Sequence, residues 1–108
     1  MKTKIIATIG PASDKYPILK EMVASGMDII RFNTKYGSTD EFIEVTNAIR
    51  KIDGIKIMYD IKGDHLIDWI VKQDFDYLAV SFAKNKEDIQ KYRKIIPPHI
   101  KIIAKILS

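Results

Sequence analysis

Apolar residues in this chain gather into five short, nearly unbroken runs, at residues 4–9, 29–32, 55–59, 77–82 and 101–106. They are dominated by Ile, Val, Leu and Ala and do not alternate with polar residues, which predicts strands buried on both faces. Four helical segments lie between them. Pro17 suits the first turn of one, with Ile18, Met22 and Val23 facing inward and Gly26 as the stop. Ser38-Thr39-Asp40-Glu41 has capping-box spacing and opens the second, where Phe42, Val45, Ile49 and Ile52 recur at helical intervals before Asp53-Gly54. The third is short, about residues 66–73, with Leu66, Ile67, Trp69 and Ile70 as its apolar part. The fourth starts near Asn85, a good N-cap, presents Ile89, Tyr92 and Ile96, and ends at Pro97-Pro98.

Strand–helix alternation with short connections predicts an α/β fold with a parallel sheet and right-handed crossovers. A complete (β/α)₈ barrel typically needs ~250 residues, so 108 residues exclude one. The expected architecture is a partial TIM barrel of five parallel strands and four helices, with an open sheet, helices on both faces, as the alternative. Residues 1–108 then form a single domain. In either architecture ligands bind at the C-terminal ends of the strands.

Composition narrows the functions. The chain has no cysteine, which excludes disulfides and thiolate metal sites. No apolar run reaches the ~18 residues of a membrane span, and no signal-peptide pattern precedes the first strand, so a cytoplasmic protein is expected. The formal charge is +4, and residues 84–105 supply the imbalance with seven Lys/Arg against two acids. Only Tyr92 interleaves aromatic character there, so no nucleic-acid groove is expected. Attraction of anionic metabolites is the more useful reading.

Every strand end gathers groups able to bind phosphate or a cation: Thr8 to Ser13, Arg31 to Gly37, Asp60 to Gly63, Ser81 to Lys84, and Lys105. Each has a plainer reading. Gly10-Pro11 is a turn, Arg31 is a strand-end ion-pair partner of Asp60, Asn33 is a turn former, and Ser81 caps local backbone. Lys62 and Lys84 are solvated, and His65 and His99, without a partner histidine at metal-ligand spacing, are surface or packing residues.

Five segments in order carry a family resemblance. Thr3-Lys4-Ile5-Ile6-Ala7-Thr8-Ile9-Gly10-Pro11-Ala12-Ser13 resembles the opening strand of pyruvate kinases. Arg31-Phe32-Asn33 is similar to their second strand end, and Asp60-Ile61-Lys62-Gly63 to their Asp-x-Lys-Gly. Asp76-Tyr77-Leu78-Ala79-Val80-Ser81-Phe82 and Ile102-Ile103-Ala104-Lys105-Ile106 resemble the next two strands. The resemblance implies phosphoryl transfer between phosphoenolpyruvate and ADP in glycolysis, with magnesium and potassium as cofactors. It implies that Arg31 contacts the transferred phosphoryl group and that Lys105 is the catalytic lysine. Ser81 would join them at the substrate, Thr8, Pro11 and Ser13 would line the nucleotide side, and Asn33 and Asp60 would be potassium ligands.

The chain departs from the family pattern in places that matter. A small lid domain normally follows the Lys62-Gly63 position, whereas here only Asp64-His65 precedes Leu66, so the lid is expected to be absent between about 63 and 66. The family's Ala-Lys-Ile-Glu reads Ala104-Lys105-Ile106-Leu107, which replaces a divalent-metal ligand with an apolar side chain. Lys35 and Ile61 stand where the family has Ser and Thr beside the potassium site, and the Lys35 ammonium is a candidate to replace the ion. The chain stops at Ser108, so the later barrel strands are expected to be absent, and exposed sheet edges predict self-association or a partner chain. The expected function is a pyruvate-kinase-like protein, inactive or incomplete alone. The alternative is a non-catalytic phosphate-metabolite-binding or interaction module.

Overall fold

The structure, a computed structural model, describes residues 4–9, 16–52, 54–81, 83 and 85–104. Five strands, β1 (Ile6–Ile9), β2 (Ile29–Asn33), β3 (Lys56–Ile61), β4 (Tyr77–Val80) and β5 (Lys101–Ala104), alternate with four helices. These are α1 (Tyr16–Ala24), α2 (Thr39–Ile49), α3 (Ile67–Ile70) and α4 (Lys86–Ile95). The strands form one parallel sheet in the order β1-β2-β3-β4-β5. Because the order never reverses, right-handed crossovers carry every helix to the same face. That is the winding of a barrel segment, and it replaces the alternative with helices on both faces.

The helix-covered face holds the core. Ile30, Phe32, Ile57, Tyr59, Ile61, Leu78 and Val80 point into it and are buried. Phe32, Phe42, Tyr59, Trp69 and Phe75 pack there with ring centroids 5.1–6.1 Å apart, at mostly tilted or edge-on angles. The opposite, concave face is the one a closed barrel would enclose. Burial on both faces holds for β3 from Ile57 to Ile61, while Arg31 and Asn33 leave the concave side of β2 half-buried and the edge strands depart further: Ile6 is 50% exposed and Ile103 42%.

Local chemistry sets the helix ends. The Ser38 hydroxyl accepts the Glu41 N–H at 3.3 Å, the Ser38 half of the expected capping box, and Phe42, Val45 and Ile49 bury the apolar stripe of α2. Asn85 Oδ1 accepts the Asp88 N–H at 3.1 Å and starts α4. Gly26, at φ +95°, ends α1 with a Schellman pair, Gly26 N–H to the Val23 carbonyl and Met27 N–H to the Met22 carbonyl. Ile96 is extended because Pro97 follows it. The Arg93 guanidinium then donates to the Ile96, Pro97 and Ile100 carbonyls at 2.6–3.2 Å. α3 is shorter than the predicted segment. Beyond Ile70 the chain winds in tighter turns, with Lys72 N–H on the Trp69 carbonyl and Gln73 N–H on that of Ile70.

Candidate functional site

Side chains on a strand alternate between faces, and parallel pairing aligns the alternation across the sheet. Thr8 lies opposite Arg31, Arg31 opposite Met58, and Asn33 opposite Asp60, which pairs in turn with Ala79. Thr8, Arg31, Met58, Asp60 and Ala79 therefore share the concave face. Together with Ser81, Ile6 and Ile103 they line a cavity of about 350 Å³, at the lower end of the range of about 300–1,000 Å³ for organic ligand sites.

Asp60 organises its polar half. The carboxylate is 2% exposed, and Oδ2 accepts from Arg31 Nε at 2.8 Å and from Nη2. Oδ1 accepts the Ser81 hydroxyl at 2.5 Å. The Asp60 carbonyl accepts both the N–H and the hydroxyl of buried Thr34 at 3.1 Å. Arg31 Nη1 donates to the Thr8 hydroxyl at 3.1 Å. The guanidinium is thus fixed on two sides while its side chain keeps 25% of its surface exposed. A planar fork held in this way suits the oxygens of a phosphate or carboxylate.

Four sequence-predicted residues, Thr8, Arg31, Asp60 and Ser81, come together. The ion-pair reading of Arg31 with Asp60 is realised, and Ser81 joins the same carboxylate where a local backbone cap was the plainer expectation. Asn33 stands apart from the cavity lining. Its Oδ1 accepts the Lys35 N–H at 3.1 Å, an Asx turn, so the turn-former reading holds. The Lys35 ammonium lies over the Tyr36 ring, 5.8 Å from its centroid, and the fixed cation at Asp60 is Arg31. Lys105, Pro11, Ser13, Phe82, Lys84 and Leu107 lie outside the described residues.

Asn33 Oδ1 and both carboxylate oxygens of Asp60, the expected potassium ligands, each accept a hydrogen bond from the chain. Among the described residues no group of three His, Cys, Asp or Glu stands together to hold a metal. Sequence reasoning missed Thr34, and Met58 and Ala79 as the floor of the cavity. Counting back by two from Asp60 finds Met58, but Thr34 and Ala79 require the register. At the rim, His65 Nε2 lies 3.1 Å from the Thr34 carbonyl, a packing role. Asp64 accepts from Lys91 Nζ at 2.5 Å and from the Tyr92 hydroxyl, which ties the β3–α3 connection to α4.

Comparison with known proteins matches both the sequence and the fold. The family model for the pyruvate kinase barrel domain matches residues 1–66. A pyruvate kinase of Thermoplasma acidophilum is 40% identical over 67 residues, covering 61% of this chain and 12% of that protein. One from Thermococcus litoralis is 30% identical and covers 99% of this chain and 24% of its own length. The cytosolic isozyme of Nicotiana tabacum is 28% identical, covering 99% and 26%. The crystal structure of a Cryptosporidium parvum pyruvate kinase superposes with a TM-score of 0.84 at 17% identity, over 97% of this chain and 46% of that one. The chain spans about a quarter of the two relatives that it matches along its length. With its sequence matched through the first three strands and its fold matched through all five, the chain belongs to the pyruvate kinase family, by the barrel domain.

Proposed function

We propose that the concave rim around Arg31 binds phosphoenolpyruvate, or another small phosphorylated metabolite, as a reduced pyruvate-kinase site, and that this chain does not complete transfer to ADP by itself. The observation that carries the reading is the Arg31 guanidinium, fixed by Asp60 and Thr8 at the edge of a ligand-sized cavity. In this reading Arg31 and Lys105 hold the phosphoryl group, Ser81 sets Asp60, and Thr8, Pro11 and Ser13 line a nucleotide side for ADP or ATP. Residues 1–108 act as one barrel-type domain without a lid between 63 and 66, and an open site admits water that competes with an acceptor.

Family membership brings magnesium and potassium as cofactors. Leu107 offers no ligand atom for magnesium, and Arg31 already supplies a positive charge at Asp60. Binding is therefore proposed to be independent of potassium and only weakly dependent on magnesium. A cytoplasmic location fits the tobacco relative, named as a cytosolic isozyme. No helix among the described residues is long and apolar enough to cross a membrane.

Calorimetric titration of phosphoenolpyruvate, with and without magnesium, tests the reading on the chain and on Arg31→Lys. Lysine keeps the charge and loses the fork, so affinity should fall about tenfold or more. A chain folded by circular dichroism that takes up no phosphoenolpyruvate would overturn it. A second reading, an interaction module, is favoured by the exposed Ile6 and Ile103 on the two edge strands. It commits to a second copy of the chain, and sedimentation that stays monomeric at all concentrations would exclude it.

A further inference from the structure

The opposite end of the sheet carries a second polar cavity, of about 150 Å³, lined by Lys56, Asp76, Tyr77, His99 and Lys101. Lys56, Tyr77 and Lys101 are the first residues of β3, β4 and β5. Tyr77 and Lys101 pair in the row of Met58, and Lys56 lies two residues before Met58, so all three share the concave face. Along β3 the four residues from Lys56 to Asp60 span about 13 Å at about 3.3 Å each; Tyr77 and Lys101 share the Met58 row with Arg31, but the two cavities have no lining residue in common.

Backbone donors here are already used. Lys56 N–H bonds the Asp28 carbonyl at 2.9 Å, and Lys101 N–H the Asp76 carbonyl at 3.1 Å. The Asp76 carboxylate accepts the Ile57 N–H at 2.9 Å and lies 3.9 Å from Lys56 Nζ. Its single charge is thus committed to the start of β3, while Lys101 has no carboxylate partner among the described residues. Two lysines and one aspartate line the cavity, with Tyr77 and His99, residues that can donate hydrogen bonds, completing the wall. The cavity is smaller than the range of about 300–1,000 Å³ for whole organic ligands, so it suits a small ion or the charged end group of a larger molecule. Uncompensated positive charge and several donors around one centre call for an anion with several acceptor oxygens.

We infer that the N-terminal ends of β3, β4 and β5 form a second anion site, in which Lys101, Lys56, Tyr77 and His99 bind a phosphoryl group. It does not depend on the reading of the Arg31 rim. The test titrates inorganic phosphate into the isotopically labelled chain at constant ionic strength, followed by amide resonances. Saturable shifts at Lys56, Tyr77, His99 and Lys101 are expected. Lys101→Gln, an exposed change that keeps the backbone bond to Asp76, should weaken them about tenfold, as removal of a charged donor does. Shifts confined to Thr8, Arg31 and Ser81, shifts that never saturate, or unchanged affinity in Lys101→Gln would each overturn the site. Glycerol phosphate in a parallel titration identifies the source. Tighter binding than phosphate assigns a phosphomonoester, equal or weaker binding the free ion, and either supports the site.

Discussion

Asp28 and Asp76 make the same three hydrogen bonds one strand pair apart. Each sits immediately before its strand, donates its N–H to the carbonyl of a residue on the preceding strand's entry, and accepts that residue's N–H on Oδ2. The partners are Ile5 for Asp28 and Ile57 for Asp76, at 2.9–3.0 Å. Each carbonyl then accepts the first N–H of the following strand, Lys56 or Lys101. One aspartate thereby sets the register of three strands, and the device occurs twice.

The two clamps differ in burial, which predicts unequal costs. Ile57 is buried and Ile5 half exposed. Asp76→Ala should destabilise the chain by about 1–3 kcal/mol, the cost of stranding a buried N–H, and Asp28→Ala by about 1 kcal/mol or less because water replaces its bond. Urea denaturation of both variants checks the order.

Arg31→Ala removes the cation from a carboxylate that is almost wholly buried. The expected loss is about 3 kcal/mol, at the low end for broken buried pairs, because Arg31 keeps a quarter of its surface exposed. The double variant Arg31→Met with Asp60→Leu should regain most of it. A double variant less stable than Arg31→Ala would mean that packing, not charge, sets the cost.

Lys91, and after it the Tyr92 hydroxyl, hold the Asp64 carboxyl below its ordinary value. In the unfolded chain it titrates near 4. The stabilisation is therefore present above about pH 4 and is lost as pH falls through the folded value. Asp64→Asn should lower neutral stability slightly, since the carboxylate is exposed, and flatten the acid limb by the same amount, so that the two pH–stability curves converge at low pH.

At high pH the sign reverses. Burial pushes the Tyr59 phenol up to about 12, and burial with the Asp64 contact moves Tyr92 in the same direction. Unfolded phenols ionise near 10, so the unfolded chain loses protons first. Stability contributed by Tyr59 is full below about pH 10 and declines between about 10 and 12. Tyr59→Phe should retain more of its neutral stability at alkaline pH, read from thermal melts.

The sequence located all five strands because unbroken apolar runs are what a covered sheet requires, and Ser38 and Asn85 marked their helices because a cap is a local bond. Strand ends were less legible. The second strand extends to Asn33 and the third to Ile61, past residues whose polarity reads as a stop. Those polar residues continue the ladder while facing the concave side. The contact between Arg31 and Asp60 is the plainer reading of the residues, and the family resemblance supplies the other, a phosphoryl contact. The contact of Ser81 with the same carboxylate depends on how β3 registers against β4, and no short segment encodes that. Exposure of Ile6 and Ile103 is a property of being last in the sheet, not of their runs.

Residues 62–66 leave the rim at Ile61 and enter the helix layer at Ile67, and their side chains grip their surroundings through Asp64 and His65. Neither contact supports a strand pair. The entropy of closing a loop grows only logarithmically, by about 0.6 kcal/mol for each doubling of its length. Whole folded units can therefore be spliced in or cut out at this point while the five-stranded ladder stays as it is. The scaffold and whatever stands above it are free to change independently.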